Sequence, residues 1–273
     1  TPTLSPLVWA EEATPAQPLD IKGFFRSPQL SSLRLSPDGR NVAALREYKD
    51  RINITVVNVA TRKPLIVTSF TDGDVASLSW VNNERLIFTM IDRERGLGDQ
   101  VGGGMFVIDR DGQNFKPMVE RSLLTEGEKL LPAGTSLHSR VLVGGQPTDD
   151  VVVDVPSFQG KGRIAGNLYR LNTSTGRSTL MTLGGPANTQ SWVVDRANVA
   201  RAASATFEGT TNVYLRDSEQ APWRVIFKFE AADPASTVVP LAFDAAGKLY
   251  VSAYMGADTA AIYGYDTKTA SLE

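Results

Sequence analysis

The chain has one histidine, His138, two residues after Ser136 in the stretch Gly134-Thr-Ser136-Leu-His138. A serine becomes a nucleophile only when a separate base takes its proton and an acid orients that base. Residues this close in sequence do not form separate elements of such a relay, and no second histidine is present to replace His138. A nucleophile elbow also needs Gly-x-Ser-x-Gly on a strand-to-helix turn. Here His138 stands where the second glycine belongs. Ser136 and His138 therefore read as part of a connecting loop, and the chain is expected to carry no catalytic triad. With no cysteine there is no thiol nucleophile, disulfide scaffold or cysteine-ligated zinc site. One histidine excludes a multi-histidine metal centre, so neither a metal nor a cofactor is expected.

Three other stretches invite a chemical reading. Gly96-Leu-Gly98-Asp-Gln-Val-Gly102-Gly-Gly104 has the glycines of a phosphate loop. A dinucleotide site would need a helix after it, whereas Met105 to Asp109 reads as a strand, so a hairpin loop is expected. Asp109-Arg-Asp111-Gly112 begins like a calcium loop but lacks the third acid before the glycine and the closing glutamate. It reads as a turn. Asp92-Arg93-Glu94-Arg95 is a charged run whose simplest reading is a solvated loop. Trp80, Trp192 and Trp223 fall in strand-like segments and read as core packing.

The elements that would position these residues are strands. The 273 residues carry 28 Lys+Arg and 30 Asp+Glu, with 42% hydrophobic and 21% charged residues. That is a globular composition, and disorder is excluded as the general state. A net charge of −2 argues against nucleic-acid binding. No run of about 20 apolar residues is present, so no complete transmembrane helix is expected. Residues 1–18 are Pro/Ala-rich and unlike the rest. Val8-Trp9-Ala10 before Glu11 has the small-residue spacing of a signal-peptidase site. Two readings stand for this leader: the tail of a signal peptide, which makes the protein exported and periplasmic, or a flexible leader on a cytoplasmic protein.

From residue 19 onward one unit recurs. A short apolar strand meets a turn, a second strand follows, and a third strand ends in Asp or Asn. Leu33-Arg-Leu35 runs into Ser36-Pro37-Asp38-Gly39, then Val42 to Leu45, then Ile52 to Asn58. Leu78-Ser-Trp80 turns at Asn82-Asn83 into Leu86-Ile-Phe88, and Met105 to Asp109 closes the unit. Val141-Leu-Val143 leads through a turn ending Asp149-Asp150 to Val151 to Val155, then Leu168 to Asn172. Trp192 to Asp195 and Leu241 to Phe243 open two more units. The closing residues Asn58, Asp109, Asn172, Asp217 and Asp266 are spaced by 51, 63, 45 and 49. Three of those spacings lie near the 40 to 50 residues of a four-stranded propeller blade. Gly, Asn and Asp at the turns tolerate positive φ. The period-2 strands bury one face.

The expected fold is thus all-β: a β-propeller of about five four-stranded antiparallel blades, at about 31–70, 75–120, 139–184, 189–230 and 238–273. A parallel β-solenoid is the alternative, and the hairpin turns fit it less well. The fifth unit reads as unfinished, because only Thr267 to Glu273 follow Asp266. This points to an incomplete propeller, a domain fragment of a longer protein. Its exposed sheet edge would favour an edge-to-edge homodimer.

The motifs resemble a family at this point. Leu35-Ser-Pro-Asp-Gly-Arg40, Leu78-Ser-Trp80 through Arg85-Leu-Ile-Phe88, Leu168-Tyr-Arg-Leu-Asn-Thr-Ser-Thr-Gly176 and Trp192-Val-Val-Asp195 carry the resemblance. Ala221-Pro-Trp223 and Asp258-Thr-Ala-Ala261 add to it. In order, they are similar to the N-terminal propeller of prolyl oligopeptidase-family serine peptidases, in the bacterial dipeptidyl aminopeptidase and acylaminoacyl peptidase branch. The resemblance implies a non-catalytic propeller that gates peptide substrates on their way to an α/β-hydrolase domain later in the parent protein. It implies a hydrolase as parent, while this chain alone is expected to be inactive. It also makes Arg93, Glu94 and Arg95 substrate-facing candidates, because charges in such propellers can meet a substrate's terminus. The alternative is a stand-alone periplasmic β-propeller serving as a protein- or ligand-binding module. A propeller enzyme using carboxylates would need paired acids at matching blade positions, and none are seen.

Overall fold

The computed structural model describes residues 29–93, 103–120, 130–159, 162–267 and 269–273. The leader at 1–18 lies outside the described residues. Five four-stranded antiparallel sheets follow one another along the chain. The first contains β1 (Ser31–Leu35), β2 (Asn41–Tyr48), β3 (Arg51–Asn58) and β4 (Pro64–Ile66). The second contains β5 (Asp74–Trp80), β6 (Arg85–Ile91), β7 (Met105–Asp109) and β8 (Lys116–Val119). The third is β9 (Ser136–Val143), β10 (Gln146–Gln159), β11 (Gly162–Asn172) and β12 (Ser178–Leu180). The fourth is β13 (Thr189–Val194), β14 (Ala200–Phe207), β15 (Thr210–Leu215) and β16 (Arg224–Glu230). The fifth is β17 (Val238–Phe243), β18 (Leu249–Ala253), β19 (Ala261–Asp266) and β20 (Ser271–Leu272). Strands pair in chain order within every sheet, the meander of a propeller blade. The helical content among the described residues is one short 3-10 turn at Pro234–Ser236.

Alternation along the strands builds the cores. Val151 and Val153 pack towards the second blade, and Val152 between them packs towards the fourth. Leu86 and Phe88 face the first blade, and Ile87 faces the third. A period of two therefore gives each inner blade two apolar faces, one for each neighbour. Four buried clusters result, joining blades one and two, two and three, three and four, and four and five. Among the described residues no such cluster joins the fifth blade to the first, consistent with an incomplete propeller.

Side-chain caps fix the turns. Asp195 Oδ1 accepts from the amides of Ala197 at 2.8 Å and Val199 at 3.0 Å. Asp244 Oδ1 does the same for Ala246 and Lys248, at 2.8 and 2.9 Å. Asn82 Oδ1 serves Glu84 and Arg85 in the second blade. The closing Asn58 and Asn172 cap the turn into the outer strand, accepting from the Thr61 and Thr175 amides at 2.9 Å each. These are Asx turns, in which a short carboxyl or amide side chain replaces a backbone acceptor.

Three sequence expectations change. The strand expected at Val141–Val143 begins at Ser136, so Ser136 and His138 are not in a connecting loop. The third-blade turn is Gly144-Gly145, with φ of 58° and 78°, instead of a turn ending at Asp149-Asp150. Two consecutive positive φ values suit glycine and produce the tight hairpin. Asp149 instead reaches the second blade, accepting from Asn82 Nδ2 at 2.7 Å. The fifth blade is four-stranded, not unfinished. Its outer strand is short, closed by paired backbone bonds between Gly264 and Glu273 at 2.9 and 3.0 Å. Lys248 Nζ also pairs with the Glu273 carboxylate.

Candidate functional site

The first strand of each blade faces a common centre. One cavity of about 360 Å³ is lined from three blades, by Arg34 of β1, Ser77 and Ser79 of β5, and Ser136 of β9. A second, of about 490 Å³, is lined by residues of β9, β13 and β17. Residues from three neighbouring blades meet in one cavity only where the sheets converge. These first strands therefore form the wall of the central channel.

The wall is lopsided in charge. β1, β5, β9, β13 and β17 together contribute Arg34, His138 and Arg140, and a single carboxylate, Asp74. Asp74 is 4% exposed and already committed. It accepts from the Ile52 amide at 2.8 Å and pairs with Arg51 at 3.3 Å, tying the first two blades together. The exposed charges of the wall are thus cationic, and they stand among hydroxyls and exposed apolar side chains such as Leu33, Leu35, Val143, Val239 and Leu241.

The larger cavity has the more distinctive chemistry. Alternation on β9 turns His138 and Arg140 towards the channel while Val141 is buried. Arg196 enters from the β13–β14 turn, and Trp192, Leu241 and Phe243 supply apolar wall. The nearby carboxylate, Asp195, is occupied by the turn amides and by Arg201, whose Nη1 lies 3.6 Å from its Oδ2. Arg201 itself stacks over the Phe243 ring at 4.8 Å. Arg140 and Arg196 make no side-chain ion pair or hydrogen bond among the described residues. His138 is open to water but hemmed in by the channel walls. The resulting loss of hydration holds its pKa below the ordinary histidine value, with the Asp154 charge pulling weakly the other way.

Two apart on β9, Ser136 and His138 share one face of the strand. No hydrogen bond joins them among the described residues. A nucleophile and its base must lie within hydrogen-bond reach, so the pair does not form the start of a relay. Arg93 is exposed at the end of β6, where its amide donates to Asp74 Oδ2 at 3.3 Å. It lines neither of the two channel cavities. Glu94 and Arg95 lie outside the described residues. Trp80 and Trp192 are 2% and 5% exposed, and each indole N–H donates to a carbonyl of the preceding blade, Arg34 and Gly166, at 2.8 Å. Trp223 meets Trp192 edge-on at 5.7 Å. The tryptophans are structural, although the edge of Trp192 also borders the larger cavity. Sequence reading passed over Arg140 and Arg196. The alternation of Ser136, His138 and Arg140 on β9 is the available signal, and it is hidden when Ser136 and His138 are read as loop.

Among the described residues no group of three or more His, Asp or Glu is placed to hold a metal ion. No helix among them is long and apolar enough to cross a membrane. No protein-family profile matches the chain, and no curated protein sequence does. Among solved structures it is similar to dipeptidyl peptidase 4 of Porphyromonas gingivalis, with a TM-score of 0.57 and 14% identity over 91% of this chain. It is similar to an oligogalacturonate lyase in complex with manganese, with a TM-score of 0.54 and 12% identity over 89% of this chain. An acylaminoacyl peptidase in complex with Z-Gly-Gly-Phe-chloromethyl ketone gives 0.50 and 16% over 88%. The chain spans 39%, 63% and 38% of those three proteins respectively. At these identities the likeness is one of fold. The propeller that the sequence motifs implied is the fold found, and peptidases of the kind those motifs resemble are among its neighbours.

Proposed function

We propose that this chain is the propeller domain of a serine peptidase of the prolyl oligopeptidase type. It would admit peptides through its central channel to a hydrolase domain carried by the same parent protein. The observation that carries this reading is the channel wall of exposed serines, His138 and arginines, converging from several blades. A wall of hydrogen-bonding groups suits an extended peptide, whose backbone presents donors and acceptors along its length. The fold likeness to two peptidases supports the reading, as does the ordered set of sequence motifs. Catalysis would belong to the partner domain, because this chain has no Gly-x-Ser-x-Gly and one histidine. Export to the periplasm is part of the proposal and rests on the Val8-Trp9-Ala10 spacing.

The test has two arms. The parent reading frame, followed past residue 273, should encode Gly-x-Ser-x-Gly and a later Asp and His. A stop codon soon after would favour the stand-alone binding module. In the parent enzyme, placing bulk on the channel wall by Ser77→Trp should depress turnover of long peptides more than of dipeptide substrates. Equal loss on both would sink the gating role. The 273-residue chain alone should not hydrolyse aminoacyl or peptidyl chromogenic substrates. Turnover abolished by Ser136→Ala would overturn the assignment.

A further inference from the structure

We infer that the cavity between blades three, four and five is a carboxylate-binding subsite, with Arg140 and Arg196 as its two recognition groups and an acidic peptide as its ligand. The inference begins from charge. Arg40, Arg51, Arg85, Arg110, Arg170, Arg201 and Arg224 each pair with a carboxylate. Arg140 and Arg196 do not, yet both line one concave site together with His138. Asp195, the carboxylate lining the same cavity, is held by the Ala197 and Val199 amides and by Arg201. Two guanidiniums without a protein counterion therefore face one space. A guanidinium presents paired N–H groups that match the two oxygens of a carboxylate. With its pKa held down by the surrounding walls, His138 adds at neutral pH a neutral donor or acceptor rather than a third charge.

The rest of the lining narrows the ligand. Trp192, Leu142, Leu241 and Phe243 make an apolar side to the same cavity. A ligand that satisfies both sides carries a carboxylate next to an apolar group. The volume of about 490 Å³ falls within the range of about 300–1,000 Å³ typical of small-ligand sites and suits a short peptide segment. The carboxylate preference stands on the cavity itself. The peptide as occupant rests on the peptidase reading given above.

The experiment uses the 273-residue chain and reads Trp192-dependent fluorescence and calorimetric titration. The probes are N-acetyl-Phe-Glu-amide, its isosteric control N-acetyl-Phe-Gln-amide, N-acetyl-Phe-Ala with a free C-terminus, and 3-phenylpropionate. The glutamyl peptide should bind, and the glutaminyl peptide should bind about 10- to 100-fold more weakly, the scale of a lost charge-assisted hydrogen bond. Arg140→Gln and Arg196→Gln should each abolish most of that preference, while Arg177→Gln on the outer rim leaves it intact. Arg140→Lys should restore part of it, which separates recognition from folding. Unchanged thermal unfolding of both glutamine variants would confirm that the loss is local. Equal affinity for Glu and Gln probes, or full binding by the double variant, overturns the subsite. Equal binding of 3-phenylpropionate and the glutamyl peptide keeps the carboxylate subsite and removes the peptide reading. The free-terminus probe tells a side-chain carboxylate from a chain end.

Discussion

Blades two and four have the same strand order and are held by different physics. The face of blade two towards blade one is aromatic. Phe88 is 1% exposed and stacks on Phe106 at 5.6 Å, with Phe70 and Phe115 at 6.0 and 6.3 Å. Blade four is thin. Ala200, Ala202, Ala203 and Ala205 of β14 are all buried, and the bulk comes from Trp192 and Trp223 on neighbouring segments. Arginines replace aromatic rings there: Arg216 stacks over Trp223 at 4.6 Å and Arg201 over Phe243 at 4.8 Å. A blade can therefore be filled by large rings or by small residues plus cation–aromatic stacks. The second solution brings charge close to the channel, and the larger channel cavity lies in that half.

The strongest way to break the comparison is Phe88→Ala. Deleting a buried ring from a close-packed cluster costs about 3–5 kcal/mol, enough to unfold a marginal domain. Urea unfolding should show the loss at an unchanged slope. A cost near 1 kcal/mol would mean the aromatic cluster is loosely packed and the contrast false.

Next is Ala203→Leu, which tests the thin blade by overfilling it. Ala203 is fully buried in the cluster joining blades three and four. Extra methylenes in a packed site cost about 1–3 kcal/mol. A neutral result would show spare volume beside β14.

How much of this was legible in the sequence follows from the same contrast. The aromatic half announced itself: Leu86-Ile-Phe88 and Met105 to Asp109 alternate cleanly, and Asn82 and Gly112 mark their turns. The alanine half carries weak hydrophobic signal, so in the sequence β14 is marked only by the Trp192 to Asp195 stretch that precedes it. The channel wall was hardest to read. A strand that faces water on one side and the core on the other looks like a loop when its outward residues are Ser136, His138 and Arg140. Which arginines lack a counterion is not a sequence property. Arg140 and Arg196 stand out because Asp195, the carboxylate that lines their cavity, is already engaged by the turn amides and by Arg201.

Arg216→Met sharpens the comparison with a smaller effect. Arg216 is 5% exposed, donates from Nε to the Ala200 carbonyl at 2.7 Å, and leaves Nη2 buried with no hydrogen-bond partner. Burial lowers its pKa, meaning that the fold disfavours its charge. Methionine keeps the contact with Trp223 and removes the buried charge, at the expense of two carbonyl partners worth about 0.5–1.5 kcal/mol each. Stability should change by no more than about 1 kcal/mol. A loss above about 3 kcal/mol would make the guanidinium itself the clamp of blade four.

The smallest expected effect is a pH dependence at the channel wall. The folded-state pKa of His138 lies below the ordinary histidine value of 6.5, with loss of hydration as the main cause and Asp154 opposing it. The unfolded chain then binds a proton more readily than the folded one. The stability tied to neutral His138 is fully present above about pH 6.5, declines as pH falls below it, and is lost once pH has dropped through the folded pKa. Asp217 and Asp38 also have lowered pKa values, held down chiefly by hydrogen bonds from Arg224 and Ser36. At Asp109 burial is the largest influence and pushes upward, but it is outweighed by the hydrogen bonds from Arg85 and Asn114 together with the Arg85 and Lys116 charges. All three contributions fall away at lower pH, beneath the carboxylate value of 3.8. The two windows do not coincide, so His138→Gln should flatten the decline in unfolding midpoint between pH 7 and pH 5 and leave the acid limb unchanged. If the slope persists in the variant, the wall does not hold His138 neutral. The two arginines would then share the cavity with a third positive charge, and the glutamyl probe should bind more tightly at pH 5.5 than at pH 7.5.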